Sequence, residues 1–340
     1  MRTSTGRVLF FALLLAASTA HADNKTTKQP VGERQAMVIV HGIGNQKEGD
    51  YKAFKDAIRA EFEREVQRLT GNKPPQEALS LKTALWANIT QSRQDQYIKE
   101  VGKKYGGTLP TYNQLLVEMG GDALMYSRNG TKGIRMQNEV KRDILDLAKE
   151  AKGQKVALHL VAHSLGTLVS SDAMRKMTHE SAPQRDATGS TFDQAKMPGN
   201  VEWAHFVTIG GPLALGRDDD DVKTPLKPRK WTNIIYPRDG VGTDLMGNDG
   251  KPLAGMKEFA GVKELRLGSA GHRHWLTRAV HRLISRTPWV GAASHVFYWT
   301  DPSVQKAIAH EMAHRYVKSL GPQAKAKQLR VPRQRVRSRH

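Results

Sequence analysis

The chain of 340 residues has no cysteine, only 6% aromatic residues, and too little acid to balance its base: 33 Asp+Glu stand against 53 Lys+Arg, a formal net charge of +20. Without cysteine there is no disulfide, no Cys-ligated zinc or iron–sulfur site, no thiol nucleophile and no lipid-modified cysteine. Long apolar runs are also missing. The longest, Val8 to Ala17, has ten residues, well short of the roughly 20 that a membrane-spanning helix needs. Acid is absent altogether from Leu265 to Thr300 and again after Glu311. What remains, 39% apolar and 25% charged residues, excludes a wholly disordered chain and is enough for a large buried core. The positive charge points to a polyanionic neighbour without naming one.

The first 22 residues read as an export signal. Arg2 and Arg7 make a charged start, the apolar run follows, and Ala20-His21-Ala22 supplies the small-x-small pattern read by signal peptidase. Cleavage after Ala22 predicts a protein of the bacterial periplasm or the extracellular space. A polar linker covers residues 23–35, and the folded domain is expected over 36–320, followed by a basic disordered tail, 321–340.

Within that domain strands and helices alternate. AMVIV (Ala36 to Val40) is a short, continuous apolar run rich in β-branched residues, the pattern of a strand buried on both faces of a parallel sheet. Asp50 to Leu69 carries Phe54, Ile58, Phe62, Val66 and Leu69 at helical spacing and stops before Gly71 and Pro74. Further strands are predicted at Leu81–Ile89, Lys155–Ala162, Val201–Gly210, Thr232–Pro237 and Val262–Gly268, and helices at Ile134–Ala151, Leu165–Met177 and Ser303–Leu320. Such alternation implies βαβ units: an α/β fold with a mostly parallel central sheet and helices on both faces. Two stretches, 91–130 and 270–290, are candidates for a cap or lid.

The chemistry concentrates at Ala162-His163-Ser164-Leu165-Gly166, where an apolar strand hands over to a helix. This is the pattern of a nucleophile elbow, with alanine in place of the first glycine. The turn is so tight that the residues two before and two after the serine must be small, and Ala162 and Gly166 are. The Leu165 N–H and the N-terminus of the following helix would face a developing oxyanion. Directly after the first strand, His41-Gly42-Ile43-Gly44 forms a glycine loop whose most plausible contribution is a second donor, the Ile43 N–H, with His41 and Gly42 supporting the loop.

On these motifs the chain resembles the α/β-hydrolases of the lipase/esterase type, over roughly Ala36 to Leu320. The resemblance implies an α/β-hydrolase fold and the order nucleophile, acid, histidine. Asp239, in a glycine-bearing loop past the strand Thr232–Pro237, is the expected acid, with Asp244 its rival. His295 is the expected base. It lies before the last helix, in a His-x-x-Tyr-Trp stretch similar to one seen in such hydrolases, and His274 and His272 are the alternatives. A Ser164–His295–Asp239 triad would act through an acyl-enzyme and need neither cofactor nor metal. The substrate would be a small-molecule or lipid ester.

Three features lie outside that reading. His310-Glu311-Met312-Ala313-His314 matches the H-E-x-x-H pattern of zinc peptidases on a predicted helix. No Asp or Glu follows it, however, and both histidines fall away from the apolar stripe Val304, Ile308, Met312, Leu320, toward solvent. The run Asp218 to Asp221 lacks the interleaved spacing and glycine of a calcium loop and reads as a solvated acidic loop. The stretch around Arg278, Arg282 and Arg286, with Trp275, Leu276, Leu283 and Ile284 on its other face, is a basic amphipathic helix that packs on the core or touches an anionic lipid surface. The tail, with Arg330, Arg333, Arg335, Arg337 and Arg339, suits anionic membrane or lipopolysaccharide better than nucleic acid, for which no motif is present. Three classes therefore compete: serine ester hydrolase, zinc peptidase, and a non-catalytic envelope-binding protein on a hydrolase scaffold.

Overall fold

The computed structural model describes residues 32–44, 46–90, 95–96, 99–100, 103, 126, 130–178, 196–214, 228–236, 239, 241–246, 249, 251–252, 261–267, 295 and 297–321. The expected export signal, most of the 91–130 stretch, residues 218–221, His272, His274, the basic amphipathic stretch and the tail lie outside these residues. None of the described helices is long and apolar enough to cross a membrane.

The described elements run β1 (Arg34–Val40), α1 (Lys52–Thr70), β2 (Leu79–Ala84), α2 (Thr131–Glu150), β3 (Val156–His163), α3 (Gly166–Thr178), β4 (Val201–Ile209), β5 (Trp231–Ile235), β6 (Val262–Arg266) and α4 (Pro302–Ser319), with 3-10 turns at Glu48–Tyr51, Gln76–Ala78 and Phe297–Thr300. The six strands form one sheet in the order β2-β1-β3-β4-β5-β6, and every neighbouring pair is parallel. This is an all-parallel, doubly wound α/β sheet, as the alternation of strands and helices in the sequence predicts. Strand order reverses between β1 and β3, so the loops leaving their carboxyl ends diverge and open a crevice there, where open α/β sheets place their ligands.

Side-chain alternation along the strands builds two cores. Ala36, Val38 and Val40 of β1 with Leu158, Leu160 and Ala162 of β3 meet α2 and α3 through Val140, Ile144, Leu147, Val169 and Met174. Met37, Ile39 and Val161, on the opposite face, meet α1 and α4 through Phe54, Ile58, Phe62, Val66, Val304, Ile308 and Met312. Each fully buried aliphatic or aromatic side chain contributes about 1.5–3 kcal/mol. Helix ends follow local rules. Gly71 takes a left-handed φ of 77° that closes α1, and Asp301 caps α4 by accepting from the Ser303 N–H at 2.7 Å.

Two boundaries differ from expectation. The strand predicted over Leu81–Ile89 is instead β2, Leu79–Ala84. The Trp86 N–H leaves the ladder to donate to His41 Nε2, and Ile89 and Thr90 bond back to the Trp86 and Ala87 carbonyls, which winds the chain into a turn. The first strand begins at Arg34 rather than Ala36, because Gln35, although polar, is fully buried.

Gln35 belongs to a polar row crossing the sheet. It accepts from His159 Nε2 on β3 at 2.9 Å, and His159 registers against His205 on β4, whose Nε2 lies 2.9 Å from Thr232 Oγ1 on β5. Burial pushes the His205 imidazole down to about 4 and His159 well below 6.5, so both are neutral in the fold. His41 and His163 are likewise lowered by burial, to about 4 and about 3.

A folded-state pKa below the unfolded one means that the unfolded chain binds more protons as pH falls. The stability these four histidines confer is therefore complete above pH 6.5 and is lost as pH drops below 6.5, toward about 4 for His41 and His205 and about 3 for His163, at up to about 1.4 kcal/mol per pH unit for each. Urea midpoints measured from pH 7.5 to 4.5 should fall steeply, and His205→Gln should flatten the dependence by about one proton. A midpoint indifferent to pH across this window would contradict neutral burial.

Candidate active site

The crevice is built from backbone first. At the end of β3 the chain turns into α3 within two residues, and Ser164 at the turn has a left-handed φ of 53°, a conformation that a non-glycine residue holds only when its surroundings enforce it. Three contacts enforce it here. The Ser164 N–H donates to the Ile209 carbonyl at the end of β4 at 3.0 Å, and the Ser164 carbonyl accepts from Thr167 N–H at 2.9 Å and from the Thr167 hydroxyl at 2.7 Å.

The turn is also pressed against the loop after β1. A Cβ on Gly166 would lie 2.2 Å from the His41 carbonyl oxygen, and one on Gly42 would lie 2.6 Å from Ser164 Cβ. The glycine loop and the elbow are therefore in direct contact. The peptide joining Gly42 to Ile43 is held by its carbonyl, which accepts from His41 Nδ1 at 2.6 Å. His41 Nε2 accepts from Trp86 N–H at 3.0 Å, which leaves the ring's only proton on Nδ1, and the ring stacks on Trp86 at 4.4 Å. In a trans peptide the N–H points opposite the carbonyl, so the Ile43 N–H is turned away from His41. Gln46 fixes the next carbonyl, donating to Ile43 O at 2.6 Å. Among the described residues neither Ile43 N–H nor Leu165 N–H has a backbone acceptor.

The expected acid and base come from the other side of the switch point. Asp239 follows β5, and its two carboxylate oxygens each lie 3.0 Å from His295 Nδ1. The carboxylate also accepts from Val241 N–H at 2.9 Å and from the Tyr298 hydroxyl at 2.7 Å. Burial alone would raise the Asp239 pKa, but these donors hold it below the ordinary carboxylate value. The Tyr298 hydroxyl in turn accepts from Tyr236 N–H at 2.8 Å, and the Tyr236 hydroxyl donates to Asp301, the α4 cap, at 2.5 Å. Gly210, directly after Ile209, closes the gap. With φ 53° and no side chain, it admits Asp239 Oδ2 and His295 Nδ1, which would lie 2.6 and 3.3 Å from a Cβ there. His295 Nε2 is buried and bonded to no described residue, Ser164 included.

The remaining candidates are placed elsewhere. Asp244, the rival acid, pairs with Arg266 at 3.3 Å rather than with His295. The HEMAH histidines do not simply face solvent, as expected. His310 Nε2 reaches Glu61 at 2.7 Å and His314 Nε2 reaches Glu65 at 3.1 Å, both across the α1–α4 seam, while Glu311 pairs with Lys230. Among the described residues no three potential ligands converge as a metal site would require. Sequence reasoning missed Tyr298, His163, Thr167 and Gly210. Tyr298 stood in the His-x-x-Tyr-Trp stretch, and Gly210-Gly211 directly after a buried strand was the available sign of a close approach.

A family model described as "Putative serine esterase (DUF676)" matches residues 88–223, a span that contains the elbow but neither the glycine loop nor Asp239 and His295. No curated relative matches the sequence. Among solved structures, a Trichoderma reesei cutinase in complex with a C11Y4 phosphonate inhibitor aligns at 11% identity over 86% of this chain and 78% of its own, with a TM-score of 0.30. An uncharacterized protein from Pseudomonas aeruginosa aligns at 11% identity and a TM-score of 0.32, over 88% of this chain but only 53% of its own. Over residues 88–223 the chain is similar to this family of serine esterases, and its parallel α/β sheet and the elbow at Ser164 agree with that likeness.

Because a Cβ at Gly166 would meet the His41 and Val40 carbonyl oxygens at 2.2 and 2.7 Å, Gly166→Ala should destabilise the protein by at least about 2 kcal/mol. Chemical denaturation measures this. A loss of only a few tenths would mean that the β1 loop and the elbow are not in contact.

Proposed function

We propose that the protein is an exported serine hydrolase that cleaves carboxylic esters, with Ser164 as nucleophile, His295 as general base and Asp239 as the acid that orients it. The observation that carries the reading is the pairing of His295 Nδ1 with Asp239 at 3.0 Å, which leaves a buried Nε2 that bonds no described residue. The Nδ1 proton given to the carboxylate makes Nε2 the basic nitrogen. Hydrogen bonds between base and nucleophile commonly tighten only when substrate is bound.

In the proposed cycle Nε2 takes the Ser164 hydroxyl proton as Oγ attacks the ester carbonyl. Negative charge gathers on the carbonyl oxygen, where the Ile43 and Leu165 N–H groups and the N-terminus of α3 stabilise it. The imidazolium returns the proton to the leaving alcohol. Water then attacks the acyl-enzyme by the same route in reverse, and Ser164 is regenerated. Asp239 stays ionised throughout and stabilises the imidazolium. His41 acts before the chemistry, by fixing the peptide that carries the Ile43 donor. The substrate is a small-molecule or lipid ester, and the basic tail favours work beside an anionic membrane or lipopolysaccharide in the periplasm or outside the cell.

A fluorophosphonate probe should label the purified protein at Ser164, and Ser164→Ala should abolish both labelling and hydrolysis of a nitrophenyl ester. Asp239→Asn should lower kcat by about 10²- to 10⁴-fold, and a chelator should change nothing. Labelling that persists in Ser164→Ala would sink the assignment. So would chelator-sensitive peptide cleavage, or the absence of all turnover alongside salt-dependent binding to anionic vesicles.

A further inference from the structure

His163 is a buried, titratable side chain beside the nucleophile that the cycle above does not use. It precedes Ser164 in the elbow, yet its ring points to the base. Its Nε2 lies 2.7 Å from the backbone carbonyl of His295, 132 residues away in the chain. A carbonyl only accepts, so Nε2 carries the proton and donates. The two imidazoles pack with centroids 4.6 Å apart. Trp299 at 5.4 Å and Tyr298 at 5.8 Å bracket the His163 ring, and Trp299 is itself wedged edge-on against Tyr51 and Phe54. The charged and titratable groups around the His163 ring are His295, Asp239, His41 and Tyr298, and burial keeps the ring neutral.

We infer that His163 is a positioning residue: through its Nε2–H it clamps the main chain of His295 to the elbow and thereby sets the distance between the base and the Ser164 hydroxyl. Two anchors then define where His295 Nε2 points. Asp239 holds the far edge of the ring through Nδ1, and His163 holds its root through the carbonyl. The second anchor is attached by one peptide bond to the residue whose hydroxyl must be reached, so the root of His295 moves with the elbow itself. Asp239 alone would leave the ring free to swing about the Nδ1 contact. A misplacement of about 1 Å at such a point is enough to cost about 100-fold in rate.

The inference rests on the serine-hydrolase reading, and the test separates the two. His163→Phe keeps a ring of similar shape but removes the donor, whereas His163→Gln places an amide N–H at the same number of bonds from Cα as imidazole Nε2. His163→Phe should lower kcat toward a soluble ester about 10- to 100-fold with KM changed less than about threefold, and should slow fluorophosphonate labelling in parallel. His163→Gln should restore kcat to within about fivefold of the parent. His163→Asn, one bond too short to reach the carbonyl, should behave as Phe does and serves if the Phe variant does not fold. Thermal midpoints are recorded for all. Full activity in His163→Phe or His163→Asn, with Ser164→Ala inactive, overturns the clamp and leaves the hydrolase reading standing. Equal losses of rate in Gln, Asn and Phe that follow the loss of thermal stability reduce His163 to a packing role and also overturn it. Turnover that survives Ser164→Ala overturns the hydrolase reading, and the clamp with it.

Discussion

The left-handed backbone of Ser164 is the constraint on which the rest of the site depends. A serine gains nothing from that conformation by itself. It is held because the N–H is taken by the end of β4 and the carbonyl by the first turn of α3, and because the β1 loop fills the space a relaxed turn would occupy. Each neighbour brings a further group to the crevice as it does so. The β4 contact places Gly210 beside Asp239 and His295. The α3 contact aligns a helix N-terminus with the crevice. The β1 contact brings Gly42 against Ser164. Strain at one residue and the assembly of three loops are the same set of interactions.

Four histidines near the site and beneath it show how burial and partners divide one side-chain type among different tasks. His41 is neutral, with its proton forced onto Nδ1 by an amide donor at Nε2, and it orients a peptide. His163 is neutral with its proton on Nε2 and faces a carbonyl. His159 is neutral and bonded to Gln35, and it ties strands together far from the crevice. His295 alone combines a carboxylate on one nitrogen with a free, buried second nitrogen. That combination marks a group able to accept a proton, since each of the other rings spends its protonated nitrogen on an uncharged acceptor.

Much of this was legible in the chain. The five-residue elbow, the small residues that flank it and the apolar strand before it announced the turn, because only a narrow set of side chains survives there. The helical stripes of α1 and α4 and the β-branched runs of β1 and β3 gave the layers. The limits were equally physical. The length of β2 could not be read from LKTALWANI, whose apolar residues would continue a strand, because it is ended by a donor lost to a histidine forty-five positions away. Gln35 looked like linker because nothing local shows that His159 lies opposite. The HEMAH histidines keep the solvent exposure read for them, but their partners Glu61 and Glu65 could not be read, since those carboxylates belong to another helix.

The sequence by itself therefore determined which residues could take part: a serine on a sharp bend, a glycine loop after a buried strand, and a short roster of acids and histidines. Periodicity and steric tolerance are local properties, written within a few positions. Only the tertiary structure decided which acid meets which imidazole, which hydroxyl steadies the carboxylate, and that the His163 ring meets the backbone carbonyl of His295. Those contacts join points separated by 56 to 132 positions. Their distances are fixed by strand order and loop packing, which no short stretch of side chains encodes.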